Sequence, residues 1–74
     1  MLKMNDLLPI GSVIKIKNKK VKYIIIGRKI RFRDVIYDYG CVIYPYGMLI
    51  DKKSIYYFND NAVEYVAFIG NNNY

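Results

Sequence analysis

Three groups of side chains in this 74-residue chain could do chemistry. Cys41 is the single thiol. Asp34 and Asp38 stand four apart, a spacing that puts two carboxylates on one face of a strand. The basic set Lys15, Lys17, Lys22, Arg28, Arg31 and Arg33 lies near the rings of Tyr23, Phe32, Tyr37 and Tyr39.

Each group has a chemical and a structural reading. A cysteine nucleophile needs a base to take its proton, and the chain contains no histidine. Cys41 sits in an apolar, strand-like run, so it reads as a small packed hydrophobe. Two carboxylates could share acid–base work, but among so many cations Asp34 and Asp38 read as solvated or arginine-paired. One cysteine and no histidine leave no zinc ligand set. "GRKIRFR" is not a phosphate-cradling glycine loop. No residue is therefore assigned to catalysis, a cofactor or a metal, and a non-enzymatic protein is expected.

The basic set remains. Residues 1–33 hold ten lysines and arginines against one acid, whereas residues 34–74 hold two against five. Such asymmetry implies a basic face that meets an anionic surface, either nucleic acid or an acidic protein. Basic and aromatic residues interleaved on a small β-domain suit single-strand binding, where bases stack on rings. Alternating Lys and Arg are equally the wet face of two strands. Most rings fall in residues 34–74, away from the bases in sequence, and no RNA-recognition signature is present. A protein partner is the reading these facts favour, with nucleic acid bound by residues 15–33 as the alternative. Lys15, Lys17, Lys22, Arg28, Arg31, Arg33 and Tyr46 are the candidate contact residues.

The elements that position these groups follow from periodicity and turn signals. Pro9 and Gly11 make an extended lead and turn before a strand at residues 13–17, in which Ile14 and Ile16 alternate with Lys15 and Lys17. Asn18 in "NKK" suits a left-handed turn. Residues 21–28 form a second strand, with Gly27 marking a bulge or bend. "KIRFRDV" reads as a basic edge strand or a wet loop. "YDYGCVIY" is a strand whose Tyr37, Tyr39, Cys41 and Ile43 share a face, with Tyr37 and Tyr39 half-buried and their hydroxyls at the surface. Pro45 and Gly47 form a turn that exposes Tyr46. "MLI" and residues 55–58 supply further strand. Asn59 or Asp60 caps one helical turn near 60–64, and a closing strand runs from Glu64 to a stop at Gly70.

Short strands with frequent turns predict an all-β (or β-dominated α+β) domain: one small, strongly curled antiparallel sheet or half-open barrel of about five strands. The single domain spans 1–74, with 1–6 and 71–74 expected to fray. A chain this short buries only about 60% of its unfolded surface, so a partner or a homodimer is an expected source of stability. "MLKMNDLLPIGS" lacks the apolar core and cleavage site of a signal peptide, and no run approaches the ~20 apolar residues of a membrane helix. A lone cysteine suits a reducing compartment, so cytoplasm is the expected location.

Four landmarks, "LLPIGSVI", "YIIIGR", "YDYGCVIYPYG" and "YYFNDNAVEYVAFIG", occur in fixed order between Leu7 and Gly70. In this arrangement the chain resembles a family of small uncharacterised proteins of Gram-positive bacteria. They are encoded beside LXG toxins and small helical proteins in type VII secretion loci. This chain differs at "NKK", where the family carries an acidic or Gly-rich turn, and near Ala67, where the family carries an acid. The resemblance implies an adaptor or chaperone that engages the N-terminal helical region of a secreted toxin.

Overall fold

The computed structural model describes residues 7–44 and 55–70. The readings of Pro45, Tyr46 and Gly47 as an exposed turn, of "MLI" as strand, and of frayed termini at 1–6 and 71–74 lie outside the described residues.

Among the described residues, five strands form one antiparallel sheet: β1 (Val13–Ile16), β2 (Lys22–Phe32), β3 (Val35–Tyr44), β4 (Tyr56–Phe58) and β5 (Val63–Phe68). Their spatial order is β4-β3-β2-β1-β5. A 3₁₀ turn, Asp60–Ala62, joins the two outermost of these strands. Four strand spacings in a flat sheet would separate β4 from β5 by about 19 Å. The five steps from Phe58 to Val63 reach at most about 17 Å when extended, and less through a 3₁₀ turn. The sheet must therefore curl, and it remains an open, unclosed sheet. The turn fastens the curl at both sides: the Asp60 amide donates to Asp38 Oδ2 on β3 at 2.7 Å, and the Lys17 amide donates to the Ala62 carbonyl at 2.9 Å.

Curling gives the sheet a concave face on which all five strands converge. Ile14, Ile16, Tyr23, Ile25, Tyr39 and Cys41 are buried there with Leu7, and Tyr56, Phe58 and Val63 pack against them. Tyr23 meets Tyr56 and Phe58 edge-on, with ring centroids 5.3 and 5.0 Å apart. The alternation read in β1 is borne out, as is that of Tyr39, Cys41 and Ile43 in β3, with Cys41 packed as expected; Tyr37, read on the same face, is outside the core and leans on Tyr57.

Several expectations need correction. Tyr39 is fully buried, not half-buried, and its hydroxyl is bonded inside the fold. A Tyr hydroxyl is tolerated in a core when both its donor and acceptor roles are filled. The bulge read at Gly27 is borne out, with Ile26 left out of the register between Ile25 and Gly27, but the strand does not stop at Arg28 and runs on to Phe32. Gly27 and Gly40 lie opposite each other, and the Ile30 side chain occupies the room their missing Cβ atoms leave. Of the two readings of "KIRFR", the edge strand holds: Lys29–Phe32 continue β2 beyond its pairing with β1 and face β3 alone, up to Phe32 opposite Val35, while Arg33 lies in the turn.

The turn missed at this point is Arg33–Asp34, where both residues have positive φ (52° and 65°). A two-residue turn of this hand matches strand twist, so it forms despite lacking the usual Asn-Gly. Each L-residue held there costs roughly 1 kcal/mol through Cβ crowding. The double substitution Arg33→Asn/Asp34→Gly should thus raise unfolding stability by about 1 kcal/mol. A urea midpoint that stays level or falls would count against this turn.

Asn18, by contrast, has the expected left-handed conformation (φ 66°) in a turn closed by the Lys19 amide on the Ile16 carbonyl. Gly11 (φ 93°) also matches its reading, and its amide donates to the Ile25 carbonyl. Pro9 is buried, and its carbonyl accepts from the Ser12 amide.

Candidate functional site

The candidate residues do not form one face. Lys15 and Lys22 lie directly opposite each other on β1 and β2. Arg31 is nine positions further along β2, about 30 Å at 3.3 Å per residue. Lys17 stands exposed in the turn after β1, and Arg28 is half-buried opposite Tyr39. Two separate surfaces and one internal network result.

The first surface is the convex side of the sheet, built from strand register. Tyr44, Lys22, Lys15 and Tyr65 form one row across β3, β2, β1 and β5, each directly opposite the next. Val42, Ile24, Val13 and Phe68 form the adjoining row in the same way. Apart from Val42, the two rows line two adjoining hollows that share Lys22 and Tyr44, and these together are the convex groove. Val13 and Val42 are buried in this row, whereas Tyr44, Tyr65 and Phe68 are 45%, 48% and 62% exposed. Lys15 is tied to Glu64 at 3.2 Å. Sequence reading found Lys15 and Lys22 but missed Tyr44, Tyr65 and Phe68. Nothing local marks a residue from β5 as a neighbour of β1.

The second surface is the far end of the β2–β3 hairpin. β1 pairs with β2 only through Ile24, so residues beyond the bulge pair with β3 alone. Here the Phe32 ring stacks on Tyr57, with centroids 4.6 Å apart and planes 14° apart. Tyr37 leans on Tyr57 at 5.6 Å, and the Arg33 guanidinium lies 5.2 Å from the Phe32 centroid. Rings and cations distant in sequence thus meet, which removes one of the sequence arguments against nucleic acid. Tyr23 and Tyr39, named with Phe32 and Tyr37 as stacking candidates, are instead core residues.

The network begins at Tyr39. Its hydroxyl donates to Asp60 Oδ1 and accepts the Leu8 amide at 3.0 Å. Asp38 accepts the Asp60 amide through Oδ2 and faces Lys29 through Oδ1 at 3.4 Å. It is therefore paired with a lysine, where solvation or an arginine was expected. Lys29 has a positive φ (51°), and neither it nor Asp38 joins the β2–β3 ladder. The freed Asp38 amide donates to Asn59 Oδ1 at 3.2 Å. Asn59 does occupy the N-cap position, but its side chain serves β3 and makes no cap bond. Burial, aided by the Asp60 bond, raises the Tyr39 hydroxyl above its ordinary range. These carboxylates hold the turn in place, and their partners are all structural.

Burial alone pushes the Cys41 thiol up to about 12. Against an ordinary value of 9.0, the native chain carries about 10³-fold less thiolate. Iodoacetamide should label the folded protein at neutral pH slower by that order than the urea-unfolded protein. Equal rates would place the thiol outside the core.

Among the described residues, no group of three His, Cys, Asp or Glu could hold a metal ion. No helix there is long and apolar enough to cross a membrane. The family described as a domain of unknown function, DUF4176, matches residues 7–74. The chain belongs to the DUF4176 family. No curated protein and no solved structure matches it. The match begins at Leu7, the first landmark residue and a member of the core. It thus takes in both surfaces and the network, so the DUF4176 unit is the whole folded sheet.

Proposed function

We propose that this DUF4176 domain is a non-enzymatic protein-binding accessory: an adaptor or chaperone for a type VII secretion LXG toxin or its helical partner proteins, acting in the cytoplasm before export. The observation that carries protein binding is the extent of large apolar side chains left in solvent. Phe68 and Ile69 are both more than half exposed, and Tyr44, Tyr65 and Val66 add to them. Contiguous apolar exposure on a small domain marks an interaction surface. The toxin as partner rests on the resemblance of the four sequence landmarks. Co-expression with the N-terminal helical region of the adjacent toxin should give a complex that co-purifies in moderate salt. Absence of association at micromolar concentration overturns the proposal.

One observation favours a second reading. The Phe32–Tyr57 stack beside Arg33, with Arg31 exposed on the same hairpin end, has the ring-and-cation composition of a single-strand nucleic-acid site. Such binding would weaken steeply as salt rises, through counterion release. Oligothymidylate affinity measured across a salt series separates the two readings.

A further inference from the structure

We infer that the convex groove is the docking surface of this domain and that its occupant is an acidic amphipathic helix of a partner protein. The inference rests on the protein-binding reading above and adds to it a surface and a partner chemistry. Three features of the groove converge on this occupant.

The first is charge. Lys15 and Lys22 lie directly opposite each other, an arrangement that repels when unpartnered. Lys15 is neutralised by Glu64, and Lys20 joins Lys22 along the same groove. Among the described residues, Lys20 and Lys22 make no ion pair. Carboxylates from outside would complement them.

The second is the neighbouring row. Val42, Ile24, Val13 and Phe68 form an apolar row beside the lysines; Val13 and Val42 are already buried, so the row offers a partner the half-buried Ile24 and, at its end, the exposed Phe68. A nucleic-acid strand could stack a base on Phe68 but has no aliphatic face to lay on Ile24. A helix with one apolar face and acidic flanks satisfies both rows at once.

The third is width. Four strands set three spacings, so Tyr44 and Tyr65 stand about 14 Å apart across the row. That gap accepts an α-helix, which measures about 10–12 Å with its side chains. Tyr44 and Tyr65 would then flank the helix, offering rigid contact area at low entropy cost.

The test uses the full chain, isotope-labelled for NMR, and three probes. They are a designed helical peptide with a leucine stripe flanked by glutamates, the same peptide with lysines for glutamates, and oligothymidylate. The glutamate peptide should shift resonances of Lys22, Ile24, Tyr44, Tyr65 and Phe68, and the lysine peptide should bind at least about tenfold more weakly. Lys20→Glu/Lys22→Glu changes two exposed side chains, so it should leave Tm unchanged while abolishing the shifts. The inference is overturned if no shifts occur, if they fall only on Phe32, Tyr37 and Tyr57, or if either other probe binds the groove as well. Capture of the toxin fragment equally by the wild type and by Lys20→Glu/Lys22→Glu would also overturn this surface, while leaving protein binding intact.

Discussion

Gly70→Ala should lower the thermal midpoint by roughly 12–24 °C, corresponding to a loss of about 3 kcal/mol in a domain of this size. Gly70 follows β5 and lies against the lead into β1. A Cβ at this position would collide with the Ile10 carbonyl oxygen and would stand 2.8 Å from both the Gly11 carbonyl carbon and the Ser12 amide nitrogen. All three are backbone atoms, so no rotamer change relieves the contact. The same approach lets the Gly70 amide donate to the Ser12 hydroxyl at 3.0 Å, in a site where Ser12 is wholly buried. Ser12→Ala removes only that acceptor and should cost about 1–2 kcal/mol. An alanine at 70 that melts with the wild type would mean the end of β5 does not pack on residues 10–12.

Tyr39→Phe should cost about 2–3 kcal/mol in urea unfolding, because it strands the Leu8 amide and removes a donor from Asp60 at once. The ring stays, so the loss reports the network and not a cavity. The substitution should also change the alkaline limb of the stability profile. Tyr39 and Cys41 are both raised above ordinary values of 10.0 and 9.0. A raised pKa means the folded state holds its proton longer than the unfolded state. Their stabilisation is complete below pH 9 and is lost as pH rises, for Cys41 through about 12. Each group contributes a slope of about 1.4 kcal/mol per pH unit in that window. Tyr23, also raised by burial, shares the window above pH 10, so Tyr39→Phe should remove one contribution to the slope there, and Cys41→Ala should remove the one that begins near pH 9. A wild-type stability that is flat from pH 9 to 11 would contradict the burial of both groups.

The fold was largely legible, and the surfaces were not. Period-two alternation located β1 and the Tyr39, Cys41 and Ile43 face of β3 because a strand with one buried face places apolar residues at every second position, whereas β5 was located although its residues after Val63 are all exposed. Asn18 and Gly11 were readable because few residues accept positive φ. Arg33–Asp34 escaped for the converse reason: neither residue advertises a left-handed turn, and strand pairing on both sides imposed it. Tyr39 escaped because a tyrosine's depth depends on whether its hydroxyl finds partners. Those partners, Leu8 and Asp60, lie 31 and 21 residues away. The separation of rings from bases in sequence also misled, since Tyr57 comes from β4 to stack on Phe32 of β2.

By itself the sequence determined an all-β domain with a glycine bulge, a packed thiol, no histidine and a strongly basic first half, since composition and local periodicity need no knowledge of neighbours. Only the tertiary structure decided that this basic half divides between a convex groove and a hairpin end. It also decided that Tyr44 and Phe68 belong to the groove with Lys22. The physical reason is strand register: which residues share a row across four strands depends on turns, bulges and a curl that no single segment encodes.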